Sequence, residues 1–239
     1  MNDAPMPAPI EIAPARVLLD AVVGSTAHGL TVAGSDVDLL GVHLAPTRLV
    51  LGLDGSALVT ESLVTRSPDR TSHELGKFAS LALAANPTIL EVLYAAEYRM
   101  MTPAGEQLIK ARSSFLSTRT VRSAYGGYAR SQLDRLLRRG DGSFSSDTRS
   151  RVEKHARHCR RLLLQGTQLL TTGELTLDVS AHRELLFAAG RTAVTDPARF
   201  ILEFDTALTR FDALTSVLPD APDRGRVNQI VTAIRLTDL

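Results

Sequence analysis

One cysteine, Cys159, stands in 239 residues. No internal disulfide and no cysteine-built zinc site can therefore form, which fits a reducing cytoplasm. Charge of one sign is not in excess either, since 27 basic against 26 acidic side chains leave +1. A nucleic-acid partner must then be met by a local basic patch rather than by a basic whole. No apolar run approaches the roughly 20 residues of a membrane span. The opening MNDAPMPAPIEIAP lacks a basic segment followed by an apolar one. These absences lead us to expect a soluble cytoplasmic protein with no membrane partner. Internal repeats are missing, and low complexity is confined to the Pro/Ala-rich start. The 44% hydrophobic content is enough for one substantial core or two small domains sharing an interface.

The prolines before residue 15 remove backbone donors and fix φ, so residues 1–14 read as a flexible arm. RVLLDAVV, from Arg16, reads as a strand, and DVDLLGVHL as a second. RLVLGL and ALVTESLV are candidates for further strands, whereas SPDRTS is too polar and proline-flanked to be one. Then the period changes. HELGKFASLALAA places Leu75, Phe78, Leu81 and Ala82 at helical spacing before Asn86-Pro87 stops it. Thr102-Pro103 and Asp196-Pro197 each read as an N-cap followed by proline in the first turn. From about Ser150 to Leu170, Val152, Ala156, Cys159, Leu163 and Leu170 form one apolar stripe, with Lys and Arg over the remainder. The expected fold class is α+β: an α/β unit with a mixed sheet over residues 15–100, then an all-helical unit over 101–239.

The chemistry concentrates in GSTAHGLTVAGSDVDLLGV, residues 24–42. On a strand, alternate residues share a face, so Asp36 and Asp38 would stand side by side while Val37 and Leu39 point into the core. Two carboxylates this close repel unless a divalent ion neutralises them, and hard oxygen ligands suit magnesium bound jointly with substrate phosphates. Gly24 permits a tight turn, leaving Ser25 to donate to a phosphate from its hydroxyl and backbone N–H.

A Gly-Ser pair followed about ten residues on by Asp-x-Asp resembles the signature of the DNA polymerase beta nucleotidyltransferase superfamily. The fuller GSTAHGL…GSDVDLLGVHLAP resembles its bacterial and phage branch, the RNA-repair-associated nucleotidyltransferases of the RlaP or YcgL type. DRTSHELGKFASLALAANPTILEVLYA, KHARHCRRLLLQGTQLLTTGEL and LPDAPDRGRVNQIV continue the resemblance over most of the chain. It implies a polymerase-beta-like fold and two magnesium ions, with manganese as an alternative, held between the carboxylates and a nucleoside triphosphate (NTP). It also implies a third carboxylate. Asp69, just before the Lys77-containing helix, is the first candidate, with Glu61 and Glu74 as alternatives and a polar surface turn as the competing account of Asp69.

Lys154, His158 and Arg161 fall at i, i+4 and i+7, one face of a helix, where they would clamp a triphosphate or an RNA backbone or else form a solvated face. Lys77 carries the same pair of readings. Tyr125 and Tyr128 would stack a base or fill core. The function expected is magnesium-dependent transfer of a nucleoside monophosphate to a hydroxyl, an RNA 3′ end being the favoured acceptor. Transfer to a small molecule or a protein hydroxyl, and a silent nucleotide-binding module, are the alternatives.

Overall fold

The computed structural model describes residues 15–53, 55–66, 69–138 and 146–239, so the N-terminal arm read from the sequence lies outside the described residues. β1 (Arg16–Val23) forms from the apolar run expected to be a strand, and its last six residues are buried. One turn of helix, α1 (Gly24–Ala27), follows before β2 (Asp38–Leu44) returns antiparallel to β1. Beyond β2 come two single turns, α2 (Thr47–Val50) and α3 (Gly55–Leu58), then β3 (Ser62–Arg66) and β4 (Asp69–Glu74). RLVLGL is thus helical at its start rather than a strand, because the amides of Leu49 and Val50 both turn back onto the Pro46 carbonyl. ALVTESLV divides between α3 and β3.

β4 was not legible as a strand, yet it begins at Asp69 and runs parallel to β2 on one side and antiparallel to β3 on the other. Ladder bonds on both edges outweigh the poor strand propensity of its polar residues. The sheet order is β3-β4-β2-β1-β5, so the sheet is mixed. β5 (Tyr98–Met101) pairs with β1 and is too short to have shown an alternation in the sequence.

Helices pack around this sheet. Glu74 caps α4 (Leu75–Leu83) and Asn86 caps α5 (Pro87–Tyr94), while Thr102 accepts from the Gly105 amide to start α6 (Pro103–Lys110). A 3-10 turn at Arg112–Phe115, α7 (Thr118–Val121) and a π-helical turn at Arg122–Gly126 lead into α8 (Gly127–Arg138). α9 (Ser146–Thr172) is the longest helix among the described residues, and its expected stripe is in place with Ala156, Cys159, Leu163 and Leu170 buried. Cys159 is a small core residue, its thiol pushed up to about 12 by burial. Tyr125 is likewise core.

α10 (Arg183–Thr195), α11 (Pro197–Asp212), capped by Asp196 as expected, and α12 (Arg224–Leu236) complete the chain. Most of the buried apolar residues form one continuous cluster from Leu18 to Ile234. α6 lies so close to β1 that a side chain at Gly105 would meet the Leu18 carbonyl at 2.5 Å. Among the described residues no helix is long and apolar enough to cross a membrane.

Candidate active site

The end of β1 and the start of β2 set the site. Val23 pairs with Asp38, and the chain leaves β1 through Gly24 at φ +69°. A Cβ there would stand 2.1 Å from Asp38 Oδ2, so this turn and this carboxylate coexist only with glycine between them. Leu39 pairs with Arg70 in the parallel β2–β4 ladder, which puts Asp69 beside Asp38 at the same sheet end. Asp36 precedes β2 and is exposed.

The expected alternation therefore fails at Val37, which is 43% exposed rather than packed in the core. Ser35 explains this: its amide and hydroxyl bond back to Val32, holding the chain in a turn that reaches the sheet only at Asp38. The carboxyl of Asp38 is raised above its ordinary value, first by burial and then by the charge of Asp69. Asp36 and Glu91 push the same way, and the Lys154 ammonium opposes them. Asp36, Asp38, Asp69 and Lys154 thus share one electrostatic neighbourhood.

The other candidates separate from it. Glu74 is wholly buried, accepting from Gly76 N and from Arg235 Nη2 at 2.7 Å, and Glu61 lies beside it, its carbonyl bonded to the Glu74 amide. Both sit at the far end of β4, about 17 Å from Asp69 at a rise of about 3.3 Å per residue. Lys77 is at that end too, donating to Ser62 Oγ at 2.6 Å. Ser25 lies half-buried in α1, next to Gly24.

The face read from Lys154, His158 and Arg161 does not act as one surface. Lys154 is exposed, but Arg161 is 7% exposed, and its Nη2 donates to His158 Nδ1 at 3.0 Å. Burial, then the charge of Arg161, holds His158 down at about 3, so its ring is neutral and cannot grip phosphate as a cation. Arg161 Nη1 reaches Glu91 Oε1 at 3.2 Å and Gln165 Oε1 at 2.9 Å. His28 Nε2 lies 2.6 Å from Arg161 Nη1 and 3.1 Å from Glu91 Oε1, accepting from the one or donating to the other according to tautomer.

Glu91 Oε2 accepts from Gly24 N at 3.3 Å. Burial works against the Glu91 charge, but the contact with His28 and the charge of Arg161 outweigh it, and the carboxyl sits below its usual range. Sequence reasoning missed Glu91, His28 and Gln165. The available signal was one carboxylate inside an otherwise apolar helix, PTILEVLY.

The loop between the Gly-Ser pair and Asp36 is held from α10. Arg183 donates to the carbonyls of Gly29 and Thr31, each at 3.0 Å, and Val179 N donates to His28 O. Arg183 and Arg157 both stack on Phe187, at 4.6 and 4.5 Å from its ring centre.

Among the described residues no three His, Cys, Asp or Glu side chains are already gathered at metal-ligand spacing. The donor chemistry nonetheless fits a divalent cation. Three carboxylates flank one sheet end: half-buried Asp38, disfavoured as an anion by burial and by the charges of Asp69 and Asp36, and the exposed Asp36 and Asp69 beside it.

The model of the family described as RlaP, RNA repair pathway DNA polymerase beta family, matches residues 7–213 of the chain. No curated protein matches it. Among solved structures, a nucleotidyltransferase-like protein from Exiguobacterium sibiricum 255-15 is similar over 93% of this chain and 71% of its own, with 11% identity and a TM-score of 0.33.

Proposed function

This chain belongs to the RNA repair pathway DNA polymerase beta family, and we propose that it transfers a nucleoside monophosphate from an NTP to an acceptor hydroxyl at an RNA 3′ end, releasing pyrophosphate. The observation that carries the reading is the β2–β4 register that sets Asp69 beside Asp38, with Asp36 two residues before it and Lys154 close enough to act on its charge. In the reaction the acceptor hydroxyl gives its proton to water, its oxygen bonds to the α-phosphorus, and the bond from that phosphorus to the α–β bridging oxygen breaks, so that this oxygen leaves with pyrophosphate. Magnesium held by Asp36, Asp38 and Asp69 would supply Lewis acidity, lowering the hydroxyl pKa and neutralising phosphate charge.

The chain's own groups do the rest. Gly24 lets backbone approach the phosphates, and the Ser25 hydroxyl and amide donate to them. Lys154, exposed on α9 yet close enough to act on Asp38, offsets negative charge at the site's edge. RNA as acceptor is supported by the family's description and by the basic groups along α9.

The test incubates the protein with each α-labelled NTP, magnesium and total RNA, then partitions the label. Label in RNA is the expected result. Label in protein or in a small-molecule fraction removes RNA as acceptor while leaving the transfer chemistry. No label anywhere, with no pyrophosphate formed, removes the transferase reading.

A further inference from the structure

Glu91 and Arg161 are the two halves of a buried charge pair drawn from helices far apart in the chain, α5 and α9. Each is under one-tenth exposed. A buried ion pair gives little net stability over two well-packed apolar side chains, so packing alone does not require these residues. What apolar side chains cannot do is fix the direction of a backbone N–H.

Glu91 does this with one oxygen to each side. Oε2 receives the Gly24 amide, in the turn that abuts Asp38, and Oε1 receives Arg161. Arg161 is oriented in turn by Gln165, whose amide nitrogen donates to the carbonyls of Thr176 and Leu177 and whose oxygen accepts from Arg161. A continuous hydrogen-bonded path therefore runs from the segment after α9, through Gln165, Arg161 and Glu91, to Gly24.

We propose that Glu91 and Arg161 are positioning residues, which hold the Gly24–Ser25 turn in the place from which it meets the triphosphate beside Asp38. Neither touches the substrate. The role rests on the nucleotidyltransferase reading, and it assigns to the buried member of the α9 basic run a task different from that of exposed Lys154. It also accounts for an arginine buried on the face of α9 that carries His158 and Gln165, both of which it contacts.

Two variants test it. Glu91→Leu combined with Arg161→Met removes both charges together, so neither is left buried alone. Glu91→Asp keeps the charge but withdraws the carboxylate by one methylene. Read on each are amide hydrogen exchange along the chain, Mn2+ affinity without nucleotide, and the binding affinity and KM for each NTP with magnesium. The expected result is exchange about tenfold faster over residues 24–30, with the α6 segment unchanged, as for loss of one charge-assisted hydrogen bond. The KM for the NTP it uses rises about tenfold, while Mn2+ affinity stays at the wild-type level.

Wild-type exchange over residues 24–30 in both variants overturns the proposal. So does a uniform acceleration along the whole chain, since that is what a merely structural pair produces. A wild-type protein that binds none of the four NTPs overturns the nucleotidyltransferase reading, and the positioning role with it. NTP binding by wild type and equal binding by both variants overturns the positioning role alone.

Discussion

At Asp38 burial and like charge act in the same direction, and the consequence for stability has a definite sign. Its carboxyl is raised above the ordinary 3.8, so the folded protein holds that proton more tightly than the unfolded chain does. The stabilising contribution is complete below the ordinary value and lost as pH rises through the folded one. At neutral pH the Asp38 anion therefore works against the fold. Asp38→Asn is expected to raise the melting temperature at pH 7 without metal, to leave it unchanged near pH 3, and to abolish any further rise on adding Mn2+. Calorimetry across those conditions checks all three.

His158 gives the opposite dependence. Held at about 3 against an ordinary 6.5, it favours the neutral ring, and its contribution is present above the ordinary value and lost as pH falls through the folded one. A single proton sets the slope at no more than about 1.4 kcal/mol per pH unit. His158→Asn, which keeps an acceptor for Arg161, is expected to flatten the loss of stability between pH 6 and pH 4 in urea titrations.

Among the elements, α9 joins the site to the core, and its packing depends on Gly166. A Cβ at that position would stand 2.9 Å from both Phe211 of α11 and the Tyr125 side chain in the π-helical turn. Gly166→Val is expected to cost about 1–3 kcal/mol by overpacking, read as a lower urea midpoint with an unchanged slope. The helices were legible because their signals are local. Thr102-Pro103 and Asp196-Pro197 place their caps, and the stripe through Ala156, Cys159, Leu163 and Leu170 gives the period. β4 was hidden for the converse reason. DRTSHE is strand only because β2 and β3 flank it, and no property of those six residues announces either neighbour. RLVLGL misled in the other direction, because Leu49 and Val50 belong to a single helical turn after Pro46 while Leu51 and Leu53 lie exposed beyond it.

For the molecule as a whole, the same division between local and long-range information decides what the sequence disclosed of the site. Gly24, Asp36 and Asp38 lie within one short segment and could be read together. The nearness of Asp69 to Asp38 depends on a parallel pairing, and the burial of Arg161 on His28 just after α1 and Glu91 of α5, neither of which spacing along α9 can report. Lys154 and Arg161 thus part company, although they share a helical face by sequence.

If RNA phosphate lies against Lys154, Lys154→Gln is expected to reduce the log–log salt slope of RNA binding by about one unit. The buried Arg161 contributes nothing to that slope directly. A salt series of RNA binding for wild type and the variant checks this, and identical slopes would remove Lys154 from the RNA path. The central claim is that Asp38 and its neighbours carry nucleotidyl transfer, and the direct measurement is magnesium-dependent pyrophosphate release from NTP in the presence of RNA. Wild-type protein is predicted to release pyrophosphate, and the folded Asp38→Asn protein at least about 100-fold more slowly, a larger loss than removal of a supporting outer group typically causes. Equal release by the two proteins would contradict the account.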